Sequence, residues 1–106
     1  MYKAILVSNQ RLDYVKKDGS AVHANILDFV SAPQSDFEAN NRDGYVIHNV
    51  YHSDDDQRVD TALIKDLTAG SVCELDTMLD RWNNDKLLGL RALDVVDLSI
   101  LFKGGE

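Results

Sequence analysis

The chain has one cysteine, one proline and one tryptophan among 106 residues. A lone cysteine excludes an internal disulfide, and thiol chemistry without staples is the pattern expected in a reducing cytoplasm. Cys73 stands in an alternating stretch beside Glu74 and Asp76. That context predicts a buried, inert thiol, because reactive cysteines need an electropositive and accessible setting. No apolar run approaches the roughly 18 residues of a membrane span, so no membrane partner is expected. The opening Met1–Ser8 is too short and too soon polar for a signal peptide and reads as a first strand.

The motifs of catalysis are missing as well. There is no glycine-rich phosphate cradle and no nucleophile signature. Asp54, Asp55 and Asp56 lack the alternating oxygen ligands and the glycine of a calcium loop. His48 and His52 stand four apart, which on a strand is about 13 Å, too far to share one metal without a bend. These absences predict a protein that is not an enzyme and takes no metal or cofactor.

What remains is an ordinary globular composition, 44% hydrophobic and 27% charged. At this length it makes a single domain, expected over 1–98 with a C-terminal tail over 99–106. The formal charge is −7, which opposes casual binding to polyanions. The charge is uneven, however. Residues 1–31 hold four basic against three acidic side chains, and residues 53–106 hold six against twelve.

Hydrophobic periodicity predicts mainly strands. Tyr2–Ser8 and Arg11–Val15 alternate, and Lys16-Lys17-Asp18-Gly19-Ser20 follows. Asp-Gly between alternating segments is a strong hairpin signal, since glycine accepts the positive φ that such turns require. On the return strand, residues 21–30, Val22, Ala24, Ile26 and Val30 share one face. His23, Asn25, Leu27 and Phe29 share the other. Residues 31–43 read as a loop, 45–51 as a third strand and 53–57 as a solvated acidic loop. Val59, Ala62, Leu63 and Leu67 recur at helical spacing, which predicts a short helix over about 59–67, with a strand as the rival. Residues 71–79 alternate again, Asn83-Asn84-Asp85 predicts a second turn, and residues 87–98 form a last strand with a bend or bulge at Gly89. Five strands with a short helix between the third and fourth is the order of an OB-like barrel; a differently closed α+β sheet is the rival.

Basic and aromatic side chains gather at the first hairpin: Arg11, Tyr14, Lys16 and Lys17. Single-stranded nucleic acid is held by that pairing of cations for phosphates and rings for bases. Lysines at a hairpin tip also serve simply to solubilise an edge. Tyr45 and Tyr51 share a face of the third strand, and Arg81, Trp82 and Lys86 surround the second turn.

Residues 67–75, Leu-Thr-Ala-Gly-Ser-Val-Cys-Glu-Leu, and 87–96, Leu-Leu-Gly-Leu-Arg-Ala-Leu-Asp-Val-Val, form a strand, a turn and a last strand. Together with the Lys17-Asp18-Gly19 hairpin tip, they resemble the small OB-fold helix-destabilising proteins of filamentous phages and related mobile elements. The resemblance implies a cytoplasmic protein of DNA replication that binds single-stranded DNA without catalysis, commonly as a two-fold homodimer. By position it implies a ligand-facing group of Arg11, Tyr14, Lys16, Lys17, His23 and Phe29. A homodimer is also expected from the residues themselves, because Leu27 and Phe29 opposite Ile26 and Val30 exceed what one small barrel buries. The contrasting reading, from the −7 charge, is an acidic protein-interaction module, an inhibitor or DNA mimic of a mobile element.

Overall fold

The computed structural model describes residues 1–33, 43–79 and 85–100. Five strands close a barrel in the order β1-β2-β3-β5-β4. They are β1 (Tyr2–Val15), β2 (Ala21–Ser31), β3 (Val46–Ser53), β4 (Ser71–Leu79) and β5 (Asp85–Val95), with one short helix, α1 (Thr61–Asp66), between β3 and β4. All pairings are antiparallel except β3 with β5, which meet in parallel at Val50 and Asp85. This is the strand order and helix placement of an OB-like barrel. Among the described residues no helix is long and apolar enough to cross a membrane.

The two segments expected before the first turn are one continuous strand of 14 residues. The break read at Asn9-Gln10 is instead a bulge at Val7, where the register with β2 shifts between Leu6 and Ser8. A bulge adds a residue and bends the strand, which lets one long strand pair with β4 at its start and β2 along its length. The Asp18-Gly19 hairpin is present. The Gly19 N–H donates to the Lys16 carbonyl at 3.0 Å, and Gly19 sits at φ +89°. Asp18 Oδ1 accepts from both the N–H and the hydroxyl of Ser20, which fixes the tip.

The core is the inward face of the barrel. It gathers Leu6 from β1, Leu27 and Phe29 from β2, Val50 from β3, Cys73 and Leu75 from β4, and Leu87 from β5. Val59, Ile64 and Leu67 from the helical segment close one end. The helix is six residues, shorter than the periodicity of 59–67 suggests. It starts where the Asp60 side chain accepts the Ala62 N–H at 3.0 Å. Leu27 and Phe29 are fully buried, so they are not surplus surface for a second copy. The bend expected at Gly89 is a register shift between the Asp76–Gly89 and Thr77–Leu87 pairs, and a second shift follows near Ala92. The expected loop over 31–43 and the Asn83-Asn84 turn lie largely outside the described residues, as does the tail from residue 101.

Candidate nucleic-acid interface

β1 and β2 run past the barrel as a two-stranded ribbon, and the ribbon has two unlike faces. Cα partners in an antiparallel pair project to the same side. The Asn9–Leu27, Arg11–Asn25 and Asp13–His23 pairs therefore continue the inward face, and Gln10–Ile26, Leu12–Ala24 and Tyr14–Val22 form the outward one.

The inward face carries a polar ladder that docks the helix and the acidic loop. Asn9 Nδ2 donates to the carbonyls of Ile64 and Leu67, both at 2.9 Å, satisfying the open end of α1. Asn25 Nδ2 donates to Asn9 Oδ1 at 2.7 Å. Arg11 then joins this ladder to two carboxylates. Its Nη1 reaches Asn25 and Asp54, its Nη2 reaches Asp13 and Asp54, and its Nε reaches Asp13, all within 3.0 Å. A guanidinium has five N–H donors, so Arg11 has none left for a phosphate. The Arg11 fork and the His23 ring together hold the Asp13 carboxyl down at about 2. Arg11 likewise lowers Asp54, with Lys65 adding to it from 3.8 Å. Farther along the same loop, Arg58 bonds Asp56 and holds its carboxyl at about 2. Two of the loop's three aspartates, Asp54 and Asp56, are thus tied to cations of the fold, while Asp55 is exposed.

This arrangement sorts the sequence-derived site. Lys16 and Lys17 are exposed at the hairpin tip, and Tyr14 is 50% exposed on the outward face. Arg11 is a structural clamp on the inward face. His23 is exposed there too, with Nδ1 2.8 Å from Asp13. Phe29 is fully buried in the core, so it stacks on no ligand. The correction has one cause: alternation groups residues by face but does not say which face points inward, and Phe29 lies on the core side. His48 Nε2 lies 2.8 Å from Ser31 Oγ, and its ring packs 5.0 Å from that of Tyr2. His52 is 1% exposed with neither ring nitrogen hydrogen-bonded. Among the described residues no cluster of three metal-ligating side chains forms.

The outward face supplies groups that the hairpin motif alone does not reveal. Tyr51 is the Cα partner of Ile26 and projects outward, 37% exposed. Tyr14, Ile26 and Tyr51 therefore share one side of the sheet. Their signal in the sequence was parity: Tyr45 and Tyr51 share a face, and Ile26 shares one with Val22. What joins those faces is the β2–β3 register. Comparison with protein-family models, curated proteins and solved structures returned no match.

Proposed function

We propose that this chain binds single-stranded DNA, without catalysis, on the outward face of β1, β2 and β3 and at the hairpin tip. The observation that carries this reading is the segregation of the ribbon. Tyr14 and Tyr51 are offered on one face that leads to Lys16 and Lys17, while Asp13, Asp54 and Asp56 are tied to arginines. OB-type barrels offer oligonucleotides the face of strands 2 and 3 together with the loop between strands 1 and 2. Each base stacked on a ring contributes about 1–3 kcal/mol. The −7 total does not cancel the local lysines, because charges farther apart than about 8 Å are screened at physiological salt.

The test is fluorescence anisotropy with a labelled oligothymidylate across a salt series. Replacing Lys16 and Lys17 by alanine weakens binding and flattens the salt slope, each lost phosphate contact removing about 0.7. Tyr14→Ala and Tyr51→Ala lower affinity and leave the slope unchanged, because stacking releases no counterions. Absence of binding by the wild type at 50 mM salt would falsify the proposal. It would favour the acidic protein-interaction reading, which draws on the −7 charge and on Leu93, Val95 and Val96, exposed on and just beyond β5. Those same residues are the apolar surface on which the homodimer part of the reading now rests, and sedimentation at micromolar concentration tests it.

A further inference from the structure

Across the outside of the barrel, far from the hairpin tip, four β-branched side chains stand in one row. Val72 on β4 is the Cα partner of Ile5 on β1, Ile5 of Val30 on β2, and Val30 of Ile47 on β3. All four project outward, since Ala4, Leu6, Phe29, Ser31 and Cys73 beside them are buried. Ile47 is 69% exposed and Ile5, Val30 and Val72 are half-buried, and apolar groups gathered in this way on the solvent side of a sheet mark a binding site. Over part of the row lies an open cleft of about 330 Å³, with Lys3 and Tyr45 among its lining residues. The Tyr45 side is open, the residue being 71% exposed. No ion pair among the described residues holds the Lys3 ammonium, and its neighbour across the sheet, Glu74, is engaged by Arg91 at 2.8 Å.

We propose that this cleft is a nucleobase subsite: a base of the bound strand stacks on Tyr45 over the Ile5–Val30–Val72 floor, and Lys3 meets its phosphate. The inference rests on the single-strand-binding reading and extends its footprint. A flat aliphatic floor with a ring and an exposed ammonium matches a nucleotide's own division into a flat base and an anionic link. It lies on the same side of the sheet as Tyr14 and Tyr51, separated from the Ile26–Tyr51 row by one polar row in which Asn49 bonds the Asp28 carboxylate at 2.7 Å. From Val22 on β2 to Ala32, just past the end of that strand and a lining residue of the cleft with Tyr45, is ten residues, about 33 Å of extended chain. A strand stretched to twice its duplex spacing of about 3.4 Å spans that in about five steps. The footprint falls within the roughly 4–16 nucleotides that one OB fold takes.

The experiment uses the full chain and a twelve-nucleotide oligothymidylate carrying 5-iodo-deoxyuridine. Irradiation followed by peptide mapping yields a cross-link at Tyr45. Tyr45→Ala weakens anisotropy-measured affinity about five- to a hundredfold, the loss of one stacked base. Lys3→Ala lowers the salt slope by about 0.7. Both residues are exposed, and an unchanged melting temperature verifies that the fold is intact. If the wild type binds and the Lys16/Lys17 substitutions weaken it, yet Tyr45→Ala changes affinity less than twofold and no cross-link maps there, the subsite is refuted and the broader reading stands. If the wild type binds no oligonucleotide, both fall. If it sediments instead as a dimer that Ile47→Asp dissociates, the face belongs to a second copy and the subsite is refuted.

Discussion

His52 is the least satisfied group in the described structure, and replacing it tests that directly. It lies at the end of β3 opposite Asn25, 1% exposed, with Nδ1 and Nε2 both lacking a hydrogen-bond partner. An unmade bond at a buried polar atom costs about 1–3 kcal/mol. Burial also pushes the ring's proton affinity down, against a smaller opposing pull from Asp56, Asp54 and the nearby Val59 backbone; Arg58 adds to the downward shift. The unfolded chain therefore takes up a proton near pH 6.5 that the folded chain refuses. Stability from the neutral ring is fully present above about pH 6.5, and it declines as pH falls toward the folded-state value, by up to about 1.4 kcal/mol per pH unit for one proton. His52→Leu keeps most of the volume and removes both orphaned nitrogens. At pH 7.5 it is expected to raise stability by about 1–3 kcal/mol, which for a domain of this size is at least about 4 °C in melting temperature. Between pH 6.5 and 5 the wild type should lose stability on a slope that the variant lacks. Calorimetry at a series of pH values reads both effects. A variant that melts several degrees lower at pH 7.5 and keeps the wild-type slope would refute the reasoning, because the ring would then hold a stabilising bond, with the Val59 backbone the nearest candidate.

Gly70 sits at φ +101°, its N–H donates to Leu6 and its carbonyl accepts from Val96; a Cβ there would overlap the Val96 carbonyl oxygen. Gly70→Ala is expected to cost more than about 2 kcal/mol in urea unfolding, and a loss under about 0.5 kcal/mol would contradict that geometry. Acid unfolding should show a second, lower limb. Asp13, through Arg11, and Asp56, through Arg58, are held at about 2, so their contribution is present above about pH 4 and lost between about pH 4 and 2. In Arg11→Met, NMR titration should find the Asp13 carboxyl raised from about 2 toward the ordinary carboxylate range, with the His23 ring still holding it somewhat below; a value still near 2 would remove Arg11 as the main cause. Burial raises the Cys73 thiol, so native protein should react with a disulfide reagent only on the timescale of unfolding, and an immediate reaction would place the sulfur at the surface.

The local features of this fold follow from local chemistry, and the sequence alone determined them. Asp18-Gly19 demands a turn because only glycine takes up positive φ without strain, and β4 begins and ends at Ser71 and Leu79 as its alternation indicates. The burial of Cys73 and the strand–helix order were legible in the same way. Only the tertiary structure decided which face of each strand is inside. On β2 both faces carry large apolar groups, so parity could not choose between Ile26 and Phe29, and closure of the barrel put Phe29 within. Tertiary contact likewise turned Arg11 from an expected phosphate ligand into a clamp, since its partners Asn25 and Asp54 lie 14 and 43 residues away in the chain. The outward group of Tyr14 and Tyr51 and the Val72–Ile5–Val30–Ile47 row arise the same way. A row perpendicular to the strands is set by register, and register is fixed by the packing of the whole sheet.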